Sequence, residues 1–233
     1  MADPASTAGR LVAVPLGALA RLRRGKPMHP RGAVFDAVLE RSGAGPGWGV
    51  AWLDVAATDQ VLVRFSRSAG LPAPFPDVLG LAVRLPDPEE PVDLLLSSTG
   101  RGPLLRWVPL PRQDAAVPYT SIMGYRSAAG ALRIAAFPDA DSAPSEPAEL
   151  ADEVAVHPLV FTLAAARGAS RWQPFGRLTL TDVHRPHDPD LRFDAVLHPP
   201  PGLIADGPLA RFRAPAYARA REQRTAGRVS RRG

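Results

Sequence analysis

The chain has 233 residues, 45% of them hydrophobic and 22% charged, enough to bury the core of one large domain or two small ones. It contains no cysteine, which excludes disulfides, zinc–thiolate and iron–sulfur sites and thiol catalysis. The net charge of +5 is carried almost wholly by arginine, Lys26 being the only lysine, and the 27 prolines and 20 glycines favour short elements and many turns, hence a β-rich chain.

In chain order, residues 10–24 form a predicted helix with Leu11, Leu16, Leu19 and Leu22 near one face. Its apolar stretch ends in an Ala-x-Ala pattern, but Asp3 precedes it, Pro15 interrupts it and Arg21, Arg23 and Arg24 follow it. A secretory signal peptide carries its positive charge in front, so an amphipathic N-terminal helix is the expectation. Gly25, Lys26 and Pro27 end that helix. AVFDAVLE at 33–40 suits a strand or a helix equally, whereas WGVAWLDVAA at 48–57 and QVLVRFS at 60–66 alternate as strands do. Residues 79–85 and 92–96 are two further predicted strands about the turn-forming PDPEEP, and PLLRWV at 103–108 is another. The proline-rich FPDADSAPSEP at 137–147 is the best candidate for an internal boundary. Beyond it, 148–152 is a predicted helical turn, 156–165 and 175–181 are predicted strands, and 208–224, with Pro215 as its one strong breaker, is a predicted helix. No run approaches the ~20 apolar residues of a membrane helix.

Five histidines are available to chemistry: His29, His157, His184, His187 and His198. VHRPHDPD at 183–190 brings two of them near Asp188, and these are metal-ligand types. Its two prolines deny the i, i+4 spacing of a helical site, and a polar surface turn accounts for it. Glu89 and Glu90 sit in a proline-flanked turn, as a solvated pair does. Arg219, Arg221, Arg224, Arg228, Arg231 and Arg232 make the C-terminus basic, which suits nucleic acid or an anionic membrane. No aromatics interleave them and no nucleic-acid motif precedes them, so a solvated terminus is expected. Spacing and composition alone reach a soluble, β-rich, basic domain.

Several segments, taken together, carry a resemblance. Val63-Arg64-Phe65-Ser66 is followed by Ala69-Gly70, then Asp77, then Gly80-Leu81-Ala82-Val83-Arg84, then Asp93-Leu94-Leu95-Leu96-Ser97-Ser98-Thr99-Gly100. Upstream stands His29-Pro30-Arg31-Gly32-Ala33, and downstream Arg213-Ala214-Pro215-Ala216-Tyr217 within GLIADGPLARFRAPAY. In this order the motifs resemble those of the haem catalase superfamily, in its small catalase-related peroxidase-like branch. They cover most of 26–100 and 175–224; residues 110–170 show no match.

The resemblance implies an α+β chain, a catalase-type antiparallel β-barrel with flanking helices. It would comprise an N-terminal arm at 1–25, a haem-binding domain at 26–224 and a disordered basic tail at 225–233. It implies heme b, with Tyr217 as the iron ligand and Arg213, one helical turn earlier, favouring its phenolate. His29 would be the distal acid and base, Ser66 its hydrogen-bond partner, and Arg64 and Lys26 the cations near the haem carboxylates. Ser97 stands where the family has a peroxide-positioning asparagine, and the haem-packing phenylalanine pair is missing. Both departures point from catalase towards a peroxidase-like reduction of hydrogen peroxide or an organic hydroperoxide by a small organic reductant. A cytoplasmic protein with no specific nucleic acid and no membrane span is expected, with homo-oligomerisation left open. The alternatives are a haem-free barrel serving as a binding or interaction module and, ranked last, a hydrolase using the loop at 183–190.

Overall fold

The structure is a computed structural model that describes residues 29–43, 47–87, 90–128, 130–184 and 191–206. Core-facing residues alternate with outward-facing ones along the longer strands. Those strands are β1 (Arg31–Arg41), β2 (Ala57–Arg67), β3 (Asp77–Leu85), β4 (Val92–Ser98), β8 (Gly130–Pro138), β9 (Leu159–Arg167) and β10 (Gln173–Val183). Of these, β2, β3, β8 and β9 are buried on both faces over part of their length. The short strands are β5 (Pro111–Arg112), β6 (Tyr119–Thr120), β7 (Gly124–Ser127) and β11 (Ile204–Asp206).

The strands pair antiparallel in the order β8-β6-β4-β3-β2-β1-β10-β9, and β9 pairs with β8 again, which closes an eight-stranded barrel. β7 and β11 extend the sheet beyond β8, and β5 pairs with β3. Closure leaves the ring without a free edge. Phe35, Leu39, Val63, Phe65, Leu81, Leu96, Ile134, Phe161 and Leu178 fill the interior, as side chains do in a barrel of this size.

The two ends are sealed differently. At the Arg41 end, Trp48, Trp52 and Leu53 are buried, with Trp52 tilted on Phe175 at 5.6 Å. The carboxylate of Asp54 accepts the Trp48 N–H at 2.7 Å and the Val50 N–H at 3.0 Å, which folds this segment back on itself. The helix α1 (Ala51–Asp54) results. At the other end the guanidinium of Arg67, fully buried, bonds to the carbonyls of Leu71, Phe75 and Ser145. Asp77 accepts the N–H groups of Ala69 and Leu71, so the loop between β2 and β3 is tied at both flanks. The helix α2 (Pro147–Val154) covers this end with Leu150, Ala151 and Val154.

Three expectations are corrected. The chain is largely β rather than α+β: helices of 4 and 8 residues are the α-structure among the described residues, and the longer apolar segments pair as strands instead. The predicted helices at 10–24 and 208–224 lie outside the described residues. The segment 48–57 is not a strand, since the Asp54 carboxylate closes it into a turn before any neighbour can pair with it. The segment 103–108 is a 3-10 turn (Leu105–Trp107), and at Gly100 an added Cβ would lie 2.4 Å from the Leu105 Cβ. That missing side chain lets the turn close against the end of β4. Residues 33–40, which suited either element, are strand β1, and β8 and β9 pair directly across the 137–147 loop.

Asp54→Ala removes both acceptors from the turn that plugs the barrel. It is expected to lower unfolding free energy by about 1–3 kcal/mol, read as a lower denaturation midpoint at unchanged m-value; an unchanged midpoint contradicts this role.

Candidate functional site

Where the strands turn one set of side chains inwards, the alternate set faces out, and on β1–β4 that outer set is unusual. Ser66 opposes Gly32 on β1 and Gly80 on β3, Gly80 opposes Ser97 on β4, and Ser97 opposes Thr120 on β6. The neighbouring row runs Val34, Arg64, Ala82 and Leu95. Val34, Arg64, Ser66 and Ala82 are buried although they face away from the barrel core. One row of small and polar residues and one of aliphatic residues with a single arginine thus lie on a largely covered outer surface.

His29 sits at the edge of these rows, just before β1. Its φ of 59° is in the left-handed region, which costs a residue other than glycine strain that the surroundings must hold. Three contacts hold it: the His29 N–H donates to the Ser68 carbonyl at 3.0 Å, the Arg64 Nη2 donates to the His29 carbonyl at 3.1 Å, and Nδ1 is 2.9 Å from Ser66 Oγ. A Cβ at Gly80 would lie 2.8 Å from His29 Cε1 and 2.8 Å from Ser66 Oγ. Only glycine at this position admits the imidazole with the serine beside it. With Nδ1 engaged by Ser66, proton exchange with a substrate would pass through Nε2.

The far side of the rows is walled by the segment that follows β10. Arg84 grips Asp93 with two bonds of 2.7 Å and donates to the Arg192 carbonyl, while Asp93 also accepts the Asp194 N–H at 2.6 Å. Asp93 is fully buried, and this pairing docks 191–206 against β3 and β4. Met123 and Ala195 then pack with Leu95, Val196 and Ala205 into an apolar wall.

Of the residues expected to do chemistry, His29, Ser66 and Arg64 come together, and Ser97 lies on the same outer row. Ser66 and Ser97 are separated by the Gly80 strand, roughly 10 Å at the usual spacing of neighbouring strands. Lys26, Arg213 and Tyr217 lie outside the described residues. His187 and Asp188 do too, while His184 Nδ1 is 2.8 Å from Asp36 Oδ1. Among the described residues no three His, Asp or Glu side chains are grouped to hold a metal ion, and no helix is long and apolar enough to cross a membrane. Reasoning from sequence gave Gly80 no role. Its signal was a lone glycine inside a strand pattern, which marks a close approach.

No family model matches this sequence, and no curated protein matches it. Solved structures do. A fungal catalase superposes with a TM-score of 0.60 at 15% identity, covering 85% of this chain and 59% of its own. A bacterial catalase gives 0.59 at 14% identity, covering 88% and 58%. Catalase A from Saccharomyces cerevisiae gives 0.63 at 13% identity, covering 90% and 63%. The chain spans about three fifths of the length of these proteins. At such identity the likeness is one of fold: this is a catalase-like barrel.

Gly80→Ala places a methyl group where the imidazole and the Ser66 hydroxyl now lie. It is expected to shift the His29 ring resonances in an NMR spectrum while the unfolding free energy falls by no more than at an ordinary overpacked site, about 1–3 kcal/mol. Unmoved His29 resonances contradict the packing described.

Proposed function

We propose that the chain is a haem-dependent hydroperoxide-reducing protein, peroxidase-like, with weak or no catalase activity. The observation that supports it most is the cluster of His29, Ser66 and Gly80: a strained imidazole, oriented at Nδ1, on a covered face cleared of side-chain bulk. The described residues fit a flat, mostly apolar group with a negative edge. Gly80 and Ala82 keep the face low, Leu95 with Met123 and Ala195 supplies an apolar wall, and Arg64 supplies a cation. Tyr217, supported by Arg213, would hold the iron, and Arg64 with Lys26 would face the carboxylates, as the sequence resemblance implies. Bound haem would supply the electrons that cleave the O–O bond, returned afterwards by an organic reductant.

The chain's own part is proton handling. His29 takes the proton from the hydroperoxide oxygen that is retained and delivers it to the oxygen that departs, so the leaving group departs neutral. Ser66 fixes the ring orientation in which Nε2 does this. Ser97, shorter than the asparagine it replaces in the resemblance, holds a second peroxide less well. Dismutation therefore suffers more than reduction by an added donor.

With haem supplied, the protein is expected to oxidise a dye reductant at the expense of hydrogen peroxide or an organic hydroperoxide. His29→Ala should cut that rate by about 100-fold or more, and Ser97→Asn should raise oxygen release relative to dye oxidation. A His29→Ala protein with an undiminished rate contradicts the proposal. Haem binding without any peroxide consumption favours a non-enzymatic barrel.

A further inference from the structure

We propose that Arg106 and Arg133, stacked against Trp172 and Trp107, form a binding site for a small oxyanion, a carboxylate or phosphate group, on the outer face of the barrel. This site is separate from His29 and does not depend on haem.

Both guanidiniums are taken out of water. Arg106 is 2% exposed and Arg133 8%. Arg133 projects from the outer face of β8, and its Nη1 donates to the carbonyls of Ser121 at 2.7 Å and Ile122 at 2.6 Å. Arg106, in the 3-10 turn, donates from Nη1 and Nη2 to the Ser170 carbonyl at 3.1 Å each and from Nη1 to Gly168 at 3.3 Å. Its own carbonyl accepts the Thr120 hydroxyl at 2.8 Å, which pins the turn to β6. The flat faces are covered by indoles: Trp107 lies 3.5 Å from the Arg133 guanidinium and Trp172 lies 4.3 Å from that of Arg106. Phe137 meets Trp172 edge to face at 5.5 Å and carries Arg101 on its other contact at 4.5 Å.

All these partners are neutral. Among the described residues no carboxylate pairs with either arginine. Two like charges held close in a desolvated place repel, and burial together with Arg106 pushes the Arg133 guanidinium down to about 10. It remains charged at neutral pH. Unpaired buried charge is costly, and a bound anion is the group that offsets it.

The geometry also says where the anion goes. Nε of both arginines is buried without a partner. On Arg133, Nη1 is fastened to carbonyls, and the Nε/Nη2 edge has no partner among the described residues. That edge is the fork that grips two oxygens of a carboxylate or phosphate at once. Stacking and anchoring hold it in place beforehand, so little freedom is lost on binding. Leu104, Leu105 and Val108 stand exposed beside Trp107, and an apolar tail attached to a carboxylate could lie across them.

The test is a fluorescence titration of the full chain at constant ionic strength in sodium chloride, with inorganic phosphate, acetate and octanoate as probes. Trp107, half exposed and stacked on Arg133, is the reporter; Trp107→Phe should remove the response. At least one probe is expected to give a saturable change, weakened about tenfold in Arg133→Lys, which keeps the charge but loses the fork. Tightest binding of phosphate identifies a free-phosphate site, and tightest binding of octanoate an amphipathic carboxylate. A rise in thermal midpoint with the same probe gives a second readout on the unmodified protein if Arg133→Lys fails to fold. No saturable change beyond the chloride control with any probe, or equal affinity in a folded Arg133→Lys, overturns the proposal.

Discussion

In a closed antiparallel barrel each residue's face is fixed by parity, and that constraint joins the core of this protein to its outer site. Phe65 lies inside because Arg64 and Ser66 lie outside; Leu79 and Leu81 are core because Gly80 is not. A slip of one residue in the β2–β3 register would bury Arg64 in the barrel and expose Val63 and Phe65. Since closure leaves no edge at which a strand could slide, hydrophobic burial inside and the arrangement of polar groups outside stand or fall together. The same parity sets Ser66, Gly80, Ser97 and Thr120 in one row across four strands.

The outer face then achieves with absent side chains what an enzyme cleft does with walls. Gly32 lets the Arg64 guanidinium pass over β1, since a Cβ there would lie 2.6 Å from Nη2. Gly80 makes room for the imidazole of His29. Arg64 in turn bonds to the His29 carbonyl, which helps retain a left-handed backbone that an unsupported histidine would leave. On the far side the fully buried Asp93 draws Arg84 and the 191–206 segment onto β3 and β4, so that side of the face is packed against docked chain. Replacing one partner of that pair would strand a charge in a buried place, whereas the pair itself is worth little more than a well-packed apolar contact.

How far the sequence alone reaches can be judged strand by strand. β2 and β3 were legible because Val, Leu and Phe alternate with polar or small residues over much of each strand, and β4 because its short apolar run follows a turn. The Trp48–Asp54 turn was not, because its composition is that of a strand and the deciding bond runs from one carboxylate to backbone four and six residues earlier. Residues 103–108 misled in the same way, since apolar content there serves a turn packed on Gly100. The pairing of His29 with Ser66 was anticipated from resemblance, not from pattern, because 37 residues separate them. The Arg106–Arg133 cluster left no trace in the sequence at all. Its members, Arg106, Trp107, Arg133 and Trp172, are brought together by barrel closure, and each alone is an ordinary residue.

The central proposal is that this catalase-like barrel binds a haem, with Tyr217 to hold the iron and His29 to move protons. The most direct test is the absorption spectrum of the purified protein supplied with haem. A Soret band with a high-spin ferric pattern, lost in Tyr217→Phe, is the expected result. Absence of a Soret band in the unmodified protein, or an unchanged spectrum in Tyr217→Phe, would contradict the account.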